Sequence, residues 1–150
     1  DTNKLGAFAA TSTGFSKKSV TVSFEGAFCV NYYFTPNATV SGEMTMYYWT
    51  YADYLAAGTL TAANASGSVT MVAGSDGRYW GQVSGIAAKH LDETYYVAGV
   101  YTDANGNTYS TGVIAYSLSK YCINNANGKM GALAQATAMY GYYAAQYFAN

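Results

Sequence analysis

Residues 20–36 read VTVSFEGAFCVNYYFTP, and the alternation within them decides the fold. Val20, Val22, Phe24, Phe28, Val30, Tyr32 and Phe34 fall on the even positions, so one apolar face is written over two strand lengths. The odd positions Thr21, Ser23 and Glu25 are polar before Gly26, and Ala27, Cys29, Asn31 and Tyr33 after it are less so. The second half is therefore expected to be covered on both faces, with Gly26 as the bend or bulge between the halves.

Working outward, residues 43–51, EMTMYYWTY, alternate again, with Met44, Met46 and Tyr48 on one face and Thr45, Tyr47 and Trp49 on the other. Residues 52–57 read as a helical turn closed by Gly58. Residues 66–72 form a further strand that turns at Ser75-Asp76-Gly77 and returns through residues 78–83 as a hairpin, because Asp-Gly supplies the positive φ a tight turn needs. Residues 94–101 and 108–117 are two more strands, joined at Asn105-Gly106. Upstream, residues 5–12 alternate weakly and read as an edge strand before a GFSKKS turn. Short strands at this spacing, without an internal repeat, predict a mainly β fold: an antiparallel β-sandwich.

After Ser117 the period changes. A short helix is expected to run to Ile123, the NNANG run breaks it, and residues 129–148 follow as a second helix. Met130, Leu133, Ala136, Thr137, Tyr140, Gly141, Ala144, Tyr147 and Phe148 share one broad side of it, with Gln135, Met139, Tyr142 and Gln146 opposite. This C-terminal helix is predicted to pack on one sheet, over the second face of the central strand pair.

The length suits one domain, spanning 1–150, with a sandwich over about 5–117 and a helical part over about 118–149. Charged residues make up only 10% of the chain, against about 25% in typical domains. With a net charge of −1 there is no phosphate-tracking surface, so nucleic acid is excluded as a partner. No apolar run is long enough to insert in a membrane as a helix. A composition rich in Thr, Ser, Asn, Gly and Tyr points to an extracellular, monomeric module.

Catalytic patterns do not assemble. His90 lies in a polar crossing beside Asp92 and Glu93 with no nucleophile signature near it, and reads as a solvated loop histidine. No cofactor motif occurs, and the chain is expected not to be an enzyme. Asp103, Asn105 and Asn107 have the alternate spacing that opens a calcium loop, but the closing glutamate is missing and a hairpin turn explains the same residues. No metal site is therefore assigned. Cys29 and Cys122 are too far apart in sequence for a metal-ligand motif; in an oxidising compartment they would close a long loop, worth about 4–5 kcal/mol in the chain-entropy account. Two buried thiols are the alternative.

Four segments together carry a family resemblance: SFEGAFCVNYYFTP, HLDETYYVAGVYTD, YSLSKYCINN and LAQATAMYGYYAAQYF. In order and spacing they resemble a module that recurs in large secreted and surface-anchored proteins of Gram-positive anaerobes of the gut and rumen. The resemblance covers roughly residues 19–148. It implies an immunoglobulin-like β-sandwich with an appended helix, outside the cell, in a multi-modular protein. That pattern contains no catalytic motif to carry over. Phe24 replaces the usual leucine, and Thr137-Ala138 replaces Met-Leu, which lightens the helix interface.

The signal left for function is aromatic, at 17% of the chain. Tyr47, Trp49, Tyr51 and Tyr54 cluster at a strand end and the turn after it, and Tyr79-Trp80 follow the Asp-Gly turn. Rings with one apolar face and a polar handle suit half-wet sites and stack on sugars. The expected function is a non-catalytic carbohydrate-binding or adhesion module whose partner is a polysaccharide. The alternative is a structural spacer that contacts only neighbouring modules of the same surface protein.

Overall fold

The computed structural model describes residues 2–24, 28–86 and 93–117. Among the described residues there are nine strands: β1 (Phe15–Phe24), β2 (Phe28–Pro36), β3 (Val40–Trp49), β4 (Gly67–Thr70), β5 (Val72–Ala73), β6 (Tyr79–Ile86), β7 (Tyr95–Asp103), β8 (Thr108–Ser110) and β9 (Ile114–Tyr116). Two short helices, α1 (Thr2–Leu5) and α2 (Tyr51–Ala56), and a 3-10 turn over Gly6–Phe8 complete the described elements. The strands form two antiparallel sheets. The first has the order β1-β2-β6-β5; the second has the order β4-β3-β7-β8, with β9 also paired to β7.

The even face of residues 20–36 is the centre of the first sheet, as the alternation predicts. Val30, Tyr32 and Phe34 from β2 share one buried cluster with Met44 and Met46 from β3 and Val97 and Tyr101 from β7. The sheets are thus joined through one core. Tyr101 ties its edges together, because its buried hydroxyl donates to the Gly14 carbonyl at 2.6 Å and accepts from the Ala38 N–H at 3.3 Å.

Three local expectations are corrected. Residues 5–12 are not an edge strand: Leu5 and Phe8 are one helical turn apart, and the segment folds as α1 and the 3-10 turn with Phe8 buried. Strand β1 begins at Phe15, so the expected turn at residues 14–19 is strand over most of its length. Residues 66–72 do not form one continuous hairpin arm. Gly67–Thr70 pairs with β3, Met71 enters the core, and Val72–Ala73 pairs with β6, so the chain changes sheets at Met71. A buried Met between two exposed neighbours makes that crossing possible.

Among the described residues, the Tyr32 hydroxyl is the one buried side-chain polar atom without a hydrogen-bond partner. Burial, followed by the nearby Tyr116 and Tyr95 phenols, pushes its pKa far up, so it remains neutral. An orphan buried hydroxyl costs stability, and removing it while keeping the ring recovers that cost. Tyr32→Phe should therefore raise stability by about 1 kcal/mol. The check is a higher urea midpoint at an unchanged m-value.

Candidate functional site

The outer face of the second sheet carries most of the aromatic cluster. Side chains alternate along β3 and β7, so Tyr47 and Trp49 on the one, and Tyr96, Ala98 and Val100 on the other, face away from the main core. The N-terminal segment and the loop over residues 59–65 lie across them. They are pinned there by the Leu60 N–H to Lys4 carbonyl bond at 2.8 Å and the Ser110 hydroxyl to Phe8 carbonyl bond at 3.1 Å. A second cluster results, built from Phe8, Trp49, Leu60 and Ala98.

Trp49 is the centre of this cluster and is 0% exposed. Phe8 meets it edge-on, with ring centres 5.1 Å apart and planes at 75°. Its indole N–H donates to Asn64 Oδ1 at 3.0 Å, and Asn64 also accepts from the Thr61 N–H and donates to the Thr59 carbonyl. The asparagine thus holds the loop and satisfies the buried indole at once.

Beside Trp49 the cover is incomplete. A cleft of about 420 Å³ opens between the 3-10 turn, the 59–62 loop and the sheet. Phe8, Tyr47, Leu60 and Val100 supply its apolar walls, with Phe8 and Tyr47 ring centres 5.3 Å apart and tilted by 59°. Exposed Thr59, Thr61 and Thr108 complete its lining, and no lining residue is charged. Its volume falls in the usual small-ligand range of about 300–1,000 Å³.

At the end of the same face, α2 adds a further aromatic group. Thr50 caps the helix by accepting from the Asp53 N–H at 3.2 Å, and Asp53 in turn accepts from the Ser66 hydroxyl at 2.6 Å. This places Tyr54 flat against Tyr96, with centres 3.8 Å apart and planes 7° from parallel. The Lys4 ammonium sits 4.4 Å from the Tyr54 ring centre. Burial, then the neighbouring Tyr54 and Tyr51 phenols, moves the Tyr96 pKa up. Tyr51 itself is 47% exposed.

The structure therefore brings Tyr47, Trp49 and Tyr54 onto one face and separates them from the other two aromatics. Tyr79 packs against the main core from β6. Trp80 is on the outer face of the first sheet, 38% exposed, with its N–H donated to Asn31 Oδ1 at 3.2 Å. The expectation that Trp80 walls the Trp49 patch is thus corrected, because the change of sheets at Met71 carries β5 and β6 to the opposite side. The expectation that Trp49 presents a stacking face is corrected as well, because Phe8 and the loop bury it.

Phe8, Leu60 and Asn64 are cleft or support residues that sequence reasoning missed. Leu5 and Phe8 at helical spacing were the available signal for the first; an isolated Leu60 in a threonine- and alanine-rich loop offered none.

Asp103, Asn105 and Asn107 form a hairpin turn. Asp103 Oδ1 accepts from the Asn105 and Asn107 N–H groups at 2.9 and 3.0 Å, and Oδ2 accepts from the Asn107 amide at 3.3 Å and the Tyr109 hydroxyl at 3.0 Å. Gly106 takes the left-handed φ of 84° between β7 and β8. Both carboxylate oxygens are thus occupied by the turn itself. These bonds, led by the Asn107 N–H, hold the Asp103 pKa below the ordinary carboxylate value of about 3.9. A depressed folded pKa contributes stability above the unfolded value and loses it as pH falls through the folded one. Acid titration of stability should consequently drop below about pH 4, and Asp103→Asn should flatten that drop.

Cys29 is buried on β2, and Cys122 lies outside the described residues, as do His90, Gly26 and the two helices expected after Ser117. No helix among the described residues is long and apolar enough to cross a membrane. Searches of the chain against protein-family models, curated proteins and solved structures find no match.

Proposed function

We propose that this chain is a non-catalytic carbohydrate-binding module of a secreted or cell-surface bacterial protein, and that the cleft beside Trp49 is its sugar site. The observation that carries this reading is the cleft's lining: two tilted aromatic rings, aliphatic walls, threonines at the rim, and no charge. An uncharged pyranose has the matching surface, an apolar face of C–H groups edged by hydroxyls. A polyanion would find no countercharge there.

The fold within this proposal is an immunoglobulin-like sandwich with a C-terminal helix. The strand order supports it, since β1-β2-β6-β5 facing β4-β3-β7-β8 has the connectivity of an ABED sheet against a C′CFG sheet.

An affinity-gel panel over starch, cellulose, xylan, pectin and mucin tests the function. At least one polysaccharide should retard the wild-type chain. Tyr47→Ala should weaken that retardation about fivefold or more, as loss of a stacking ring worth about 1 kcal/mol requires. Thr108→Arg, at an exposed position of the lining, should abolish it without lowering the melting temperature. If none of the five polysaccharides retards the wild type, the spacer function replaces this one.

A further inference from the structure

Charge divides between the two sheets. The strands of the first, β1, β2, β5 and β6, contain Lys17 and Lys18 and no acidic residue, whereas those of the second contain Glu43 and Asp103 and no basic one. Residues paired in register share a face, so the outer face of the first sheet can be followed row by row. Val30, Tyr32 and Phe34 point into the core, which puts Asn31, Tyr33 and Thr35 outside. One outer row runs Ser19, Tyr33, Trp80, Val72 across all four strands, about 14 Å wide at the usual strand spacing. The next row holds Lys17 opposite Thr35, with Arg78 on the other side of Thr35, one residue before the Tyr79 that pairs with Phe34. Two residues of strand, about 7 Å, separate the rows.

Both rows are open, and their large side chains are held in place. Trp80, Val72, Lys17 and Arg78 are exposed. The Trp80 indole is fixed through Asn31, whose carbonyl accepts from it at 3.2 Å and from Gln82 at 2.8 Å while its amide donates to Ser23 Oγ at 3.0 Å. Arg78 is fixed twice: its guanidinium carbon lies 4.7 Å from the Tyr33 ring centre, and its Nε donates to Asp76 Oδ2 at 2.7 Å. Asp76 engages only that Nε, so the two terminal nitrogens beside the Tyr33 ring make no hydrogen bond among the described residues.

We propose that this face is a second binding site, for a polysaccharide chain of acidic sugars, with sugar rings on Tyr33 and Trp80 and carboxylates at Arg78 and Lys17. The pairing of the two rows selects this occupant. A uronate ring has an apolar C–H face that suits an aromatic side chain. One exocyclic bond away it carries a carboxylate, which the terminal nitrogens of an arginine hold with two charge-assisted hydrogen bonds. Rings and cations in adjacent rows match those two groups. A neutral chain would leave the cations unused, and a nucleic acid would bring more charge than two cations answer. The site is independent of the cleft beside Trp49, which lies on the opposite sheet and has no charged lining residue.

Affinity gels containing polygalacturonate, or the same polymer fully methyl-esterified, test the proposal. The acid form should retard the wild-type chain and the ester should not. Trp80→Ala, and a double variant with Lys17→Gln and Arg78→Gln, should each weaken retention about fivefold or more. Both charges removed in the double variant are exposed, so its melting temperature should stay that of the wild type. Tyr47→Ala, in the cleft, should leave retention on polygalacturonate unchanged. Failure of polygalacturonate to retard the wild type overturns the proposal. Equal retention by the ester, or retention that survives either the ring or the charge change, overturns it too. Loss of retention in Tyr47→Ala would assign the binding to the cleft instead. Retention on neutral polysaccharides reads the cleft alone, so the two sites can fail separately.

Discussion

Trp49→Ala should destabilise the domain by about 3–5 kcal/mol, the upper range for truncating a buried aromatic. The side chain is fully buried, Phe8 packs on it edge-to-face, and its indole N–H is one of the bonds that hold Asn64 and the loop above the sheet. Alanine would leave a cavity beneath Phe8 and Leu60 and remove one of the two donors to Asn64 Oδ1, leaving only the Thr61 N–H. For a chain of this size each kcal/mol corresponds to roughly 2–4 °C of melting temperature, so calorimetry should register a fall of about 6–20 °C. Trp80→Ala should cost much less, because that side chain is 38% exposed. Equal melting of the two variants would refute the assignment of Trp49 as the centre of the second core. The result also bears on binding: loss of sugar retention in Trp49→Ala reports unfolding of the cleft wall, whereas Tyr47→Ala tests contact directly.

Legibility from sequence followed the source of each residue's burial. Where burial comes from sheet geometry, a period of two records it, and Val30, Tyr32, Phe34, Met44 and Met46 are readable because every second side chain must enter the same core. Trp49 is different. Its strand position places it on the outer face, as the alternation says, but its cover comes from Phe8 and Leu60, which belong to a turn and a loop with no period. The aromatic concentration at residues 47–54 was therefore visible while its division into a buried anchor, a cleft wall and a stacked pair was not. Trp80 was misplaced for a related reason. A single residue, Met71, passes the chain from one sheet to the other, and the exposed strand residues flanking it look the same on either side of that crossing.

A close backbone approach in the main core sets the other large effect. Gly99 on β7 is buried directly under Phe34, and a Cβ built there would lie 2.7 Å from two carbons of the Phe34 ring and 3.3 Å from the Thr111 methyl. The ring has nowhere to go, since Phe15 meets its edge at 5.9 Å and Tyr32 flanks it at 6.3 Å. Backbone movement of β7 is restrained on that side as well, because the Gly99 N–H donates to Thr111 Oγ1 at 2.9 Å and its carbonyl accepts from the Thr111 N–H at 2.9 Å. Gly99→Ala is thus an overpacking change and should cost about 1–3 kcal/mol, while Phe34→Ala should cost about 3–5 kcal/mol through its cavity. The two should not add. With Phe34 removed, the new methyl enters space the ring has left, so the double variant should be more stable than the sum of the single losses predicts by about 1 kcal/mol or more. Chemical denaturation of the four proteins in the cycle measures this coupling, and strict additivity would show that Phe34 does not press on the Gly99 backbone.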